Sequence, residues 1–130
     1  MTNNKKIEFH RIFKGNKTVL GKLLSYPEGE NPQLEFWRVE LPPNTVGDWH
    51  EHLVPEFFYV ENGDLYVVNE VNSDYSVHIF KAGEVGLTDV LIPQFIWNPG
   101  KTEVIVFAIY LGDSAIKPTR HISHHPSQEL

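Results

Sequence analysis

The sequence predicts an all-β chain, an antiparallel sandwich or barrel. Three observations carry this. The apolar runs are short and numerous, and polar turn signals punctuate them. Asn62-Gly63-Asp64 separates two such runs and marks a tight hairpin. No stretch carries a sustained helical spacing of apolar residues.

Taken in order, residues 7–13 alternate in part and read as a first strand. Residues 18–25 read as a second, with Gly15-Asn16 turning between them. Residues 26–32, rich in Pro, Gly and Glu, form a loop. On the strand at 34–41, Trp37, Val39 and Leu41 share one face, with Glu35 the odd member near its start. Strands at 48–52 and 56–60 follow, joined through Leu53-Val54-Pro55. The hairpin at Gly63 leads into 65–71, and Asn72-Ser73-Asp74 turns the chain into 75–80. Lys81-Ala82-Gly83-Glu84 turns again, and short strands cover 85–88 and 90–92.

Asn98-Pro99-Gly100-Lys101 then opens the longest apolar strand, residues 103–111. Val104, Val106, Ala108 and Tyr110 lie on one of its faces, and Ile105, Phe107, Ile109 and Leu111 on the other. A strand apolar on both faces is usually covered on both. The barrel interior covers one; an N-terminal strand or a partner subunit is expected on the other, so the chain is expected to form a homodimer. Residues 113–130 are polar, contain Pro118 and Pro126, and read as an irregular tail to a single domain spanning 1–130.

The chain has 130 residues, enough for one domain with a proper core. Its formal charge of −6 argues against nonspecific binding to nucleic acid or anionic membranes. It has no cysteine, which excludes disulfides and thiolate metal sites. The N-terminus lacks the apolar run of a secretory signal, and no apolar stretch is long enough to span a bilayer, so a cytoplasmic location is expected.

The chemistry concentrates in Trp49-His50-Glu51-His52-Leu53-Val54-Pro55-Glu56. Residues i and i+2 of a strand point to the same face, so His50 and His52 can aim two imidazoles at one point. Glu56 opens the next apolar run and can bring a carboxylate to the same place. Two imidazoles and a carboxylate make a facial ligand set that leaves coordination positions open. An HxH pair alone is a weak signal; the carboxylate at this offset and the closing Gly63 strengthen it.

At these residues the sequence resembles the cupin superfamily. The first cupin motif, G(X)5HXH(X)3,4E(X)6G, runs from Asn44 through His50, His52 and Glu56 to Gly63. Asn44 takes the place of the first glycine, and Asn is the non-glycine residue that best tolerates positive φ. The second motif, G(X)5PXG(X)2H(X)3N, is degenerate. Started at Gly83, it puts Asp89 in the proline slot, Leu91 in the glycine slot, Gln94 in the histidine slot and Asn98 in the asparagine slot. A rival register takes Pro93 as the motif proline and puts Asn98 in the histidine slot. The first keeps Gly83 and Asn98 without a gap and is preferred. The resemblance spans roughly residues 33–112 and implies a jelly-roll β-barrel, a double-stranded β-helix.

In the preferred register the metal ligands are His50, His52, Glu56 and Gln94. Gln94 reads either as a weak fourth ligand or as a pocket-lining amide. Glu56 supplies the one negative charge, so a divalent ion leaves the site cationic and suited to an anionic ligand. An amide oxygen is a harder donor than imidazole and tilts the preference toward Fe(II) or Mn(II), with Zn or Ni as further choices. Asn98 reads as a turn-stabilising side chain. Phe58 shares the parity of Glu56 and should point inward; Trp49, Phe95 and Trp97 have the opposite parity and should pack outside the barrel. His10 and His78 lack partner ligands nearby in sequence, and His121, His124 and His125 in the tail read as solvated.

Three functions compete. The first is a metal-dependent enzyme on a small-molecule ligand, most simply an oxygenase of a small organic acid, enol or phenolic compound. The second is a metal-dependent isomerase or lyase. The third is a noncatalytic module that binds a metal or small molecule, which the absence of histidine from the fourth ligand slot favours. Fold alone cannot separate them.

Overall fold

The computed structural model describes residues 6, 8, 10–26 and 29–122. Ten strands form in order: β1 Pro32–Leu41, β2 Thr45–Val46, β3 His50–His52, β4 Glu56–Asn62, β5 Asp64–Val71, β6 Asp74–Lys81, β7 Val85–Leu87, β8 Gln94–Asn98, β9 Val104–Asp113 and β10 Thr119–His121. There is no helix among the described residues, and therefore none long and apolar enough to cross a membrane. The strands build two antiparallel sheets, β1-β9-β4-β7 and β10-β3-β8-β5-β6, with β2 pairing β8. The jelly-roll expectation holds.

The interior follows strand parity. Leu41, Phe58, Val60, Leu65, Val67, Val104, Val106 and Ala108 form one buried cluster between the sheets, and Phe80 closes on Phe58 edge to face. Phe58 points inward as its parity requires. Asn98 is buried at the base of this core, where its amide nitrogen donates to the carbonyls of Leu41, Pro42 and Thr102, and its oxygen accepts from the Gly100 amide. Its expected turn-stabilising role is therefore what the structure shows.

Several sequence expectations need correction. The described part of residues 7–13 forms no strand, while Ile7 and Phe9 lie outside the described residues. Within 18–25 only an isolated bridge, Lys17 to Leu23, forms. These residues are held instead by tertiary contacts: Thr18 Oγ1 and the Leu20 amide both donate to the buried Asp89 carboxylate, and the Val19 amide donates to the Leu87 carbonyl. Residues 90–92 contribute only a bridge from Val90 to His52, and the strand lies downstream as β8.

Trp49 and Phe95 do face away from the barrel interior, but they are fully buried there. They pack against Val68 in a second core, with half-buried Trp97 and Ile122 over it. Ile122 belongs to the polar tail, which is therefore not irregular throughout. Residues 119–121 form β10 on the edge of the six-stranded sheet, and the Ile122 amide donates to the Trp49 carbonyl. His124 and His125 lie outside the described residues. Long-range pairing with β3 made this strand, a contact that local polarity does not report.

Candidate metal centre

The rim of the barrel opposite Asn98 gathers polar side chains from five strands. β3 presents His50 and His52 inward, with Glu51 between them pointing out to Arg120 Nη2 at 3.0 Å. β4 begins with Glu56, buried at 9% exposure. β9 brings Tyr110 directly opposite Glu56, and β8 places Gln94 opposite His50. β10 sets Thr119 opposite His52 and His121 opposite His50. The inward-facing side chains, Glu51 and Arg120 excluded, line a cavity of about 280 Å3, whose floor includes Phe58, Leu65 and Val106.

His50 Nε2 and His52 Nε2 face each other at 3.2 Å. Two nitrogens each about 2.1 Å from one ion would stand roughly 3.0–3.4 Å apart, so the spacing is compatible with two ligands of one ion. His50 Nδ1 lies 2.8 Å from the Asp48 carbonyl. A carbonyl can only accept, so Nδ1 carries the proton and Nε2 keeps its lone pair. His52 Nδ1 has no hydrogen-bond partner among the described residues. Burial lowers the pKa of both rings, that of His52 to about 4, so both are neutral, as metal ligands must be.

Glu56 Oε1 stands 3.6 Å from His52 Nε2. The carboxylate accepts from the hydroxyls of Thr88 and Tyr110, and Thr119 donates in turn to Tyr110. Burial raises the Glu56 pKa while these hydrogen bonds oppose the rise. Burial, then the Glu56 charge, pushes the Tyr110 phenol up, so it stays protonated and donating.

The donors form a chain, His50 to His52 to Glu56. Among the described residues no group of three or more His, Cys, Asp or Glu side chains is already drawn together to hold an ion. The donor chemistry nevertheless fits a divalent metal: two neutral imidazoles with facing nitrogens, and one buried carboxylate whose charge a cation would compensate.

No family model and no curated protein matches the sequence. Solved structures do. The oxalate decarboxylase of Lactobacillus farciminis, solved as a formate complex, superposes with a TM-score of 0.60 at 22% identity, over 68% of this chain and 26% of that one. An oxalate oxidase bound to the substrate analogue glycolate gives 0.59 at 21% identity, over 68% and 46%. The fold is a cupin fold. The Bacillus subtilis oxalate decarboxylase, a protein with Mn(II) centres, gives 0.58 at 15% identity, over 78% of this chain and 34% of that one. The chain thus spans less than half the length of each of these structures.

The cupin motif positions can now be placed in space. All four glycine slots, in both motifs, have positive φ: Asn44 at 54°, Gly63 at 77°, Gly83 at 91° and Leu91 at 61°. Asn44 and Leu91 adopt the glycine conformation without being glycine, which identifies the slots through geometry after the residue type has changed. This matches the register begun at Gly83. In that register Gln94 lies beside His50, whereas Asn98, the rival register's ligand, sits at the opposite end of the barrel. Gln94 is buried, with its amide nitrogen 3.5 Å from the Asp89 carbonyl. Asp89, in the proline slot, anchors residues 18–20.

Thr88, Tyr110, Thr119 and His121 line the site and were among the residues that the sequence reading did not assign to it. Tyr110 was legible, since it shares the inward face of Val104, Val106 and Ala108. Thr119 and His121 carried only their spacing of two, a faint signal without the strand that gives it meaning. His10 is exposed beside Glu8, and half-buried His78 pairs with Ser76 Oγ; neither joins the site.

Proposed function

We propose that the chain is a metal-dependent enzyme acting on a small organic acid, with His50, His52 and Glu56 holding one divalent ion, Mn(II) or Fe(II) by preference, and an oxygenase reaction as the finer reading. The observation that carries this is the pair of facing imidazole nitrogens 3.2 Å apart, with the buried Glu56 oxygen next to one of them. The likeness to oxalate-handling enzymes supports the substrate class.

When bound, a divalent ion in this set supplies Lewis-acid polarisation and open positions for a carboxylate and oxygen. The chain's own residues do the rest. No Lys or Arg lines the cavity among the described residues, so an acid is held by the cationic centre rather than by a side-chain clamp. The cavity lies just below the volumes typical of drug-sized ligand sites, about 300–1000 Å3, which favours a substrate of few heavy atoms. The apolar floor of Phe58, Leu65 and Val106 excludes water beneath it. The Thr119–Tyr110–Glu56 relay fixes the carboxylate and keeps a phenolic proton facing the site.

The test begins with the metal content of protein purified without added metal. Oxygen uptake and carbon dioxide release then follow with oxalate, glycolate, and a panel of enols and phenols. Metal-dependent turnover of a small acid, lost in Glu56→Ala, is the expected result. A fully loaded protein that binds small acids and turns none over would favour the second reading, a noncatalytic binding module. The observation behind that reading is Gln94 in the histidine slot.

A further inference from the structure

His50 has a neighbour on each side within the six-stranded sheet. Gln94 of β8 stands on one side and His121 of β10 on the other, both directly opposite it in register. Residues opposite one another in an antiparallel pair share a face, with Cβ atoms about 4.5–5.5 Å apart. His121 therefore lies on the inward side with His50, and it lines the same cavity as His52 and Glu56.

The rest of β10 points the same way. Its two inward residues are Thr119 and His121, and both line the site. Thr119 positions Tyr110. Arg120, between them, faces outward and pairs with Glu51. Ile122 then ties the strand to the Trp49–Phe95 core. A segment otherwise polar is thus fixed at both faces, with an imidazole delivered to the rim. Gln94, by contrast, is buried with its amide turned toward a backbone carbonyl. As a donor to a first-row divalent ion, an amide oxygen is weaker than an imidazole.

We propose that His121 supplies the third imidazole of the metal centre, replacing from the C-terminal edge strand the histidine that β8 lacks. The inference rests on the reading of His50, His52 and Glu56 as the metal site. The ligand set is then three histidines and one glutamate, and Gln94 lines the pocket. His121 is exposed at the mouth, so its ring has room to turn onto an ion as the site fills.

The experiment measures Mn(II) affinity and Cu(II) electron paramagnetic resonance on the full chain and on His52→Ala, His121→Ala, Gln94→Ala and Arg120→Ala. Loss of a direct ligand should exceed the roughly 10–100-fold typical of an outer partner. Mn(II) binding should therefore weaken more than about 100-fold in His121→Ala, with little change in Gln94→Ala or in Arg120→Ala, which tests β10 pairing without touching the site. The nitrogen hyperfine pattern of bound Cu(II) should lose one imidazole in His121→Ala, a change that mere loosening of the strand would not produce. If His121→Ala keeps the parent affinity and pattern while His52→Ala loses them, the site stands and His121 is no ligand. If His52→Ala binds like the parent, or the parent binds no metal, both readings fall.

Discussion

The two ends of the barrel interior are built from the same strands and do opposite things. On β4, Val60 is fully buried at the base and Glu56 is buried at the rim. On β9, Val104 lies at the base and Tyr110 at the rim, opposite Glu56. On β8, Asn98 is the base residue and Gln94 the rim residue. Both ends bury polar groups, but they treat them differently. Every polar atom of the Asn98 amide is bonded to backbone. At the rim, His52 Nδ1 has no partner among the described residues, and two ring nitrogens face each other. A fully satisfied buried amide is structural; a buried imidazole with an unpaired ring nitrogen beside a buried carboxylate costs stability, which makes the rim the candidate functional end.

Substitutions can break this contrast. The largest expected effect is on metal binding: Glu56→Ala and His52→Ala should each weaken it more than about 100-fold, beyond the range of outer-shell changes. Glu56→Gln should do the same while leaving the unfolding free energy of the metal-free protein unchanged or raised, because it removes a buried charge. A large loss of metal-free stability in Glu56→Gln, read by denaturant titration, would make Glu56 structural and erase the difference between the two ends.

At the base, Leu41→Ala should cost about 2–5 kcal/mol of stability through the cavity it leaves, and metal affinity of the folded protein should not move. Asn98→Ala should cost about 1–3 kcal/mol, since several backbone groups lose a buried partner. Chemical denaturation with metal titration on the same samples separates these outcomes from those at the rim.

The smallest effect sharpens the comparison. Leu91, whose amide bonds the His52 carbonyl, holds φ at 61° next to the rim. A left-handed conformation costs a non-glycine residue about 1–2 kcal/mol, and glycine's extra chain entropy returns about 0.5–1 of that. Leu91→Gly should therefore stabilise the chain by up to about 1 kcal/mol, visible as a higher denaturation midpoint. A midpoint that falls would mean that the half-exposed Leu91 side chain contributes more by packing than its backbone conformation costs.

By itself the sequence determined what period and spacing encode. The alternation of apolar residues fixed the all-β class and the inward parity of Phe58, Val104 and Val106, because side chains of a strand alternate by geometry alone. The HxH spacing and the offset to Glu56 put three candidate donors on consecutive strands, β3 and β4, but that these strands lie in opposite sheets facing one cavity is a property of the fold. Asn44 was legible because positive φ is a local property, and Asn98 in part, since its bonds to Thr102 and Gly100 are local while those to Leu41 and Pro42 cross the fold. What only the tertiary structure decided depends on partners distant in the chain. Thr119 and His121 acquire a face only once β10 pairs with β3. Residues 18–20 are ordered by Asp89 rather than by a strand of their own. Trp49 and Phe95 follow their parity outward, yet they are buried because Ile122 returns from the tail to cover them. Local pattern states which way a side chain points; only long-range pairing states what it meets there.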